Sequence, residues 1–200
     1  MKRIFSNPLV VLIAGLCLRL FFVLKFPANS GDTVLYEQIA TNWLNHHVYG
    51  MDVGGAITPV DLRMPGYPAI LVLMYALTGR TGAAARLWVM LAQIGVDLLS
   101  CLVSARLAVL LACPSLASAP NKRVYSFALW LAVLCPFTAN YAAVPLTEVF
   151  AVLWTGLACN FLVLALRRAE RPDFLLKSSY RPLQRSLNYT SFAGGCIVGL

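Results

Sequence analysis

Between Ser30 and Pro68 the chain gathers carboxylates, both of its histidines and a fixed cation inside an otherwise apolar sequence. The stretch reads SGDTVLYEQIATNWLNHHVYGMDVGGAITPVDLRMPGYP and holds Asp32, Glu37, Asp52, Asp61, His46, His47 and Arg63. Asp32 follows Ser30-Gly31 and opens a helical pattern, where a carboxylate can cap backbone N–H groups. Facing a cavity at a membrane surface, the same carboxylate can take a proton as a general base. Arg63 lies in Arg63-Met-Pro-Gly-Tyr-Pro68. Pro65 and Pro68 restrict their own φ and the residues before them, so this corner is stiff. A fixed guanidinium suits a phosphate, with contact to lipid headgroups as the competing role.

Glu148 is the third candidate. It sits in Pro145-Leu-Thr-Glu148 between two apolar runs, where an ionisable residue is costly unless it faces water or a partner. As a first-turn carboxylate it would also be favoured by the helix dipole. Arg19 and Asp97 fall inside apolar runs at similar depth, which predicts a structural ion pair, and Arg106 lies near the end of its run and can snorkel. His46 and His47 are adjacent, cannot both ligate from one helix face, and are read as polar-face residues. The six cysteines lie in or beside apolar runs without a C-x-x-C pair, so they read as small hydrophobes. No phosphate-cradling Gly loop, Ser-His-Asp set or zinc spacing occurs.

The elements that must position these groups are apolar. The sequence is 60% hydrophobic and 12% charged, with a mean hydropathy of +0.74, which places it among polytopic membrane proteins. The net charge of +8 comes from short basic clusters beside apolar runs, a topology signal with some contact to membrane lipids. No basic face is interleaved with aromatics, so nucleic acid is excluded as a partner. The fold class expected is all-α: polytopic transmembrane helices with a long outer loop, residues 27–86, carrying interfacial helices. Spans are predicted at 8–26, 87–112, 124–141 and 144–166, with another beginning at 192–200 and a basic cytoplasmic loop at 167–190. The first run lacks a small-x-small cleavage site and reads as an uncleaved helix.

Within the outer loop, Leu35, Ile39 and Trp43 recur every four residues, which predicts an interfacial amphipathic helix over 32–47 with Glu37 off the apolar face. Met51–Pro59 carries Gly54-Gly55 and reads as a turn. Tyr67–Leu77 is too short to span at about 1.5 Å per residue. If it lies along the interface, Lys2, Arg3, Lys122, Arg123 and the Arg167–Arg185 group share the cytoplasmic side with the N-terminus. Lys25, Arg63, Arg80 and Arg86 then lie outside. The positive-inside rule favours this arrangement, in a multi-pass protein of a bacterial plasma membrane.

Several short motifs recur in order: Gly31-Asp32 with Tyr36 and Ala40, Asn42-Trp43-Leu44 ending in Val48-Tyr49-Gly50, and Arg63-x-Pro65-Gly66-Tyr67-Pro68. Ala85-Arg86-Leu87, Pro136 and Pro145-x-x-Glu148 follow. In this order and spacing the chain resembles the GT-C superfamily of integral-membrane glycosyltransferases, within it the family 39, protein mannosyltransferase and aminoarabinose transferase-like group. The resemblance implies a polyprenyl-phosphate-linked sugar as donor and transfer at the outer face to a lipid, glycan or protein acceptor. It implies catalytic roles for Asp32 and Glu148, and substrate binding by Arg63, Tyr67, Tyr36 and Glu37. Some relatives use a divalent metal, for which Asp32 and Glu148 would be the ligands; others need none. Members are generally longer, so the chain is expected to be their N-terminal part, an incomplete, inactive fragment of the enzyme.

The chemistry suits these residues. Glycosyl transfer passes through an oxocarbenium-like state with a phosphate leaving group; a carboxylate deprotonates the acceptor and a cation holds the phosphate. The rival reading is a membrane transporter or lipid flippase in which Asp97, Arg19 and Glu148 line a pathway. A non-catalytic membrane scaffold is the third.

Overall fold

A computed structural model describes residues 7–112 and 121–169. The expected span at 192–200 and most of the expected basic loop at 167–190 lie outside the described residues. Among the described residues three helices are long and apolar enough to cross a membrane: Pro8–Lys25, Gly82–Ala112 and Glu148–Ala169. Such helices mark a membrane protein, and the chain is mostly helical.

Helix α1 (Pro8–Lys25) begins where Asn7 Oδ1 accepts from Leu9 N at 3.0 Å and Pro8 takes the first position, where a missing N–H costs nothing. Helix α2 (Gly31–His46) is capped by Ser30, whose Oγ accepts from Asp32 N at 3.1 Å. The capping role expected of Asp32 therefore belongs to Ser30. Asp32 sits inside the first turn, where the dipole favours a carboxylate and its oxygens remain available to other partners. The helix ends at His47, which takes φ 57.

The segment expected as a turn is a β-hairpin. β1 (Gly50–Val53) pairs antiparallel with β2 (Ala56–Pro59), joined by Gly54 at φ 61 and Gly55 at φ 86. Positive φ at both central residues is what a two-residue type I′ turn needs, and glycine supplies it without strain. The described residues are thus helical with one small hairpin added. Helix α3 (Gly66–Thr78) has 13 residues, about 20 Å at 1.5 Å per residue, and a 3₁₀ turn at Gly82–Ala85 leads into α4 (Arg86–Ala112).

The run expected as one span at 124–141 is broken. Helix α5 (Lys122–Val133) stops before Pro136, Cys135 turns extended at φ −66 and ψ 113, and α6 (Pro136–Tyr141) starts afresh. Proline lacks the N–H that would continue the ladder and pushes the residue before it out of the helical region. The next helix, α7 (Glu148–Ala169), begins at Glu148, four residues later than hydropathy suggests. Residues 142–146 before it are buried without regular structure.

Helix α4 is the centre of the bundle. Val11, Cys101, Ala105, Leu129 and Val133 join α1, α4 and α5, while Val23, Met90, Ile94, Ala142 and Ala143 join α1 and α4 to the irregular segment. Apolar side chains point outward, with Phe127 at 68% and Phe161 at 69% exposure, while Arg19 is fully buried. That inversion of the soluble pattern is what a lipid solvent requires, because the bundle interior is the only place to satisfy a polar group. Arg19 and Asp97 form the expected ion pair. The same guanidinium donates from NH1 to Val133 O at 2.7 Å and to Gly15 O at 3.2 Å.

Candidate functional site

The elements of residues 31–85 form their own core on the N-terminal end of α4. Tyr36 and Ala40 of α2 pack with Tyr67, Leu71 and Tyr75 of α3, with Ala85 and Val89, and with Val144 and Leu146 ahead of α7. Burial selects the α2 face Thr33, Tyr36, Glu37, Ile39, Ala40 and Asn42. The expectation that Glu37 lies off the packed face is therefore corrected. Its two carboxylate oxygens accept from Arg86 Nε at 2.6 Å and NH2 at 2.8 Å, a fork geometry that only arginine offers. With both oxygens committed, Glu37 joins α2 to the start of α4 rather than presenting a free ligand.

Asp32 and Arg63 meet. Arg63 NH2 donates to Asp32 Oδ1, and both side chains keep solvent access, at 33% for Arg63 and 46% for Asp32. The stiff corner aims the arginine: Tyr49 Oη donates to Arg63 O at 2.7 Å. Arg63 Cζ stands 5.8 Å from the centroid of the Tyr36 ring. Arg63 Nε is buried and has no hydrogen-bond partner, so the guanidinium holds donors beyond the one spent on Asp32.

From Arg63 an aromatic row runs to α7. Tyr36 and Tyr67 meet edge to face at 5.1 Å, and Tyr67 and Phe150 lie 5.8 Å apart. Phe150 is two residues past Glu148. Tyr67 Oη donates to Gln93 Oε1 at 3.2 Å. Burial pushes the Tyr67 phenol well above its ordinary value, and the nearby Tyr75, Glu37, Glu148 and Tyr36 add to the shift. Tyr67 therefore stays a neutral hydrogen-bond donor.

The irregular segment before Glu148 is fixed by three consecutive carbonyls. Ala143 O accepts from Ala28 N at 3.1 Å, Val144 O from Gln93 Nε2 at 3.0 Å and Pro145 O from Thr33 Oγ1 at 3.1 Å. Buried backbone oxygens outside regular structure need such partners, and here α1's exit, α4 and α2 each supply one. Thr33 is the residue after Asp32, and Pro145 lies three before Glu148. The loop acid and the α7 acid are thus positioned by one clamp. Glu148 itself is exposed at the helix start, with Thr147 Oγ1 at 3.5 Å from Oε2, and among the described residues no hydrogen bond or ion pair joins it to the Asp32–Arg63 pair.

Gln93 and Thr33 carry this clamp and were not among the residues expected at the site. A lone amide one turn before Asp97 was the only visible sign of Gln93. The other polar residues of the loop are elsewhere employed or apart. Asp52 accepts from Gln38 Nε2 at 3.0 Å and Asn42 Nδ2 at 3.2 Å, which ties the hairpin to α2. Among the described residues no hydrogen bond or ion pair joins Asp61, His46 or His47 to the pair.

The donors here do not fit a divalent metal. No group of three or more His, Cys, Asp or Glu among the described residues could hold one, and the Asp32 carboxylate is already matched to a guanidinium. A cavity of about 410 Å³ lies away from this site, bounded by α4, α5, α6 and α7 and lined by Asp97, Ser100, Ser104, Cys135 and Thr138 among others. Compared with protein-family models, curated proteins and solved structures, the chain has no match.

Proposed function

We propose that the chain belongs to a membrane glycosyltransferase that moves a sugar from a polyprenyl-phosphate-linked donor to an acceptor at the outer face. The observation that carries this is the Asp32–Arg63 pair: a half-exposed carboxylate and a guanidinium with an unspent buried donor, backed by aromatic rings. Arg63 receives the donor phosphate, which competes with Asp32 for the guanidinium and releases the carboxylate. Asp32 then takes the proton of the acceptor hydroxyl as its oxygen bonds to the anomeric carbon. The carbon–oxygen bond to phosphate breaks, and the charge left on the phosphate stays on Arg63. Tyr36 and Tyr67 offer flat faces and a neutral hydroxyl to the sugar, and Glu148 stands by as a second polar group for sugar or acceptor. The outer location, the interfacial seat of α2 and α3, and the N-terminus in the cytoplasm are parts of this reading.

A transport reading draws support from the groove lined by Asp97. Its carboxylate, however, is neutralised by Arg19, which leaves the groove without a free charge to carry an ion. The two readings separate on transfer of sugar from a lipid-linked donor by the purified full-length protein.

A further inference from the structure

We propose that the end of the bundle opposite the Asp32–Arg63 pair binds the phosphate of an anionic phospholipid, and that Arg106 and Arg167 build this site. Helices α4 and α7 run side by side in the same direction here. Asn160 Nδ2 donates to Val103 O at 3.1 Å, and further along Arg167 NH2 donates to Leu110 O. Arg106 lies between Val103 and Leu110, three residues after one and four before the other, so all three share one face of α4. Arg106 and Arg167 thereby flank one seam.

Arg106 is exposed and has no hydrogen-bond or ion-pair partner among the described residues. Arg167 uses one donor on Leu110 and keeps the others, and Arg168 follows it. Lys122 and Arg123 open α5. No Asp or Glu among the described residues lies in these segments. The described carboxylates are Asp97, paired inside the bundle, and Asp32, Glu37, Asp52, Asp61 and Glu148 at the other end. Like charges along one seam repel one another unless an anion lies between them.

The surroundings say which anion. Leu111, Leu162 and Leu166 at this end of α4 and α7 are 65%, 58% and 55% exposed, apolar surface that continues the membrane-crossing faces of the two helices. A ligand with a phosphate and acyl chains satisfies both parts, whereas a free phosphate leaves the leucines in water.

The test uses purified full-length protein in micelles doped with phosphatidylglycerol or phosphatidylcholine, with retained lipid counted by native mass spectrometry. Phosphatidylglycerol should be retained over phosphatidylcholine, and Arg106→Gln should weaken its retention about five-fold. Arg106→Lys should restore most of it. Arg167→Gln also removes the bond to Leu110, so Arg106→Gln, which breaks no contact, is the deciding variant. Equal retention of the two lipids, unchanged retention in Arg106→Gln, or displacement of the lipid by inorganic phosphate alone would overturn the proposal. None of these outcomes bears on sugar transfer, which uses the other end of the bundle.

Discussion

The hydroxyl of Thr33 donates to the carbonyl of Pro145 at 3.1 Å across the core of the loop end. This bond ties the first turn of α2 to the segment that delivers Glu148. Thr33→Val keeps the shape, removes the donor and leaves a buried carbonyl unpaired, so it should cost about 1–3 kcal/mol. Thr33→Ser should restore most of that. Thermal unfolding in detergent measures both, and a Thr33→Val protein as stable as the parent would show that the clamp is not needed.

Arg19 and Asp97 form a second tie, this one inside the membrane-crossing bundle. Removing either partner strands a buried charge and should lower stability by about 3–5 kcal/mol. Removing both should be milder than either single change, although Val133 O still loses its arginine. Folding yields and melting temperatures of the four proteins close the cycle; a double variant as damaged as the worse single would contradict the pairing.

Much of the bundle is legible from residue types alone. Ionisable residues in apolar runs are so costly that Arg19 and Asp97 have to find each other, and the proline corner has to hold Arg63. What hydropathy does not see is backbone hydrogen bonding. It averages across Pro136 and Pro145, so α5 looks longer than it is and α7 looks to begin four residues early. Residue type alone puts Glu37 on a polar face, while its true face is decided by Arg86, far away in sequence. The hairpin is hidden because Gly54-Gly55 marks a turn whether or not short strands flank it.

Burial raises the Tyr67 and Tyr75 phenols, with Glu37 the next contributor at Tyr75. In the unfolded chain these groups ionise near pH 10. The folded state binds the proton more tightly, so this contribution to stability is intact below about pH 10 and is lost as pH rises above it. Titrating the tyrosinate absorbance should show a fraction that resists ionisation until the protein unfolds and that shrinks in Tyr67→Phe and Tyr75→Phe. If every tyrosine titrates reversibly near pH 10, the packing of this core is wrong.

Orientation is open to chemical labelling. In a cysteine-free background, Gly55→Cys at the hairpin tip should react with an impermeant maleimide added outside the cell. Lys122→Cys at the start of α5 should react only after the membrane is opened. The reverse pattern would put the candidate site on the cytoplasmic side and end the outer-face reading.

The most direct measurement is sugar transfer by the full-length protein, reconstituted with a polyprenyl-phosphate-linked sugar and an acceptor extract. Asp32→Asn should slow turnover on the order of 10²–10⁴-fold, the usual worth of a general base. Arg63→Ala should mainly raise KM for the donor. Because the pair is half exposed, folding stability should change by only about 0–1 kcal/mol in either variant. Transfer that persists undiminished in Asp32→Asn, or no transfer by the intact protein from any polyprenyl-phosphate sugar tried, would contradict the proposed function.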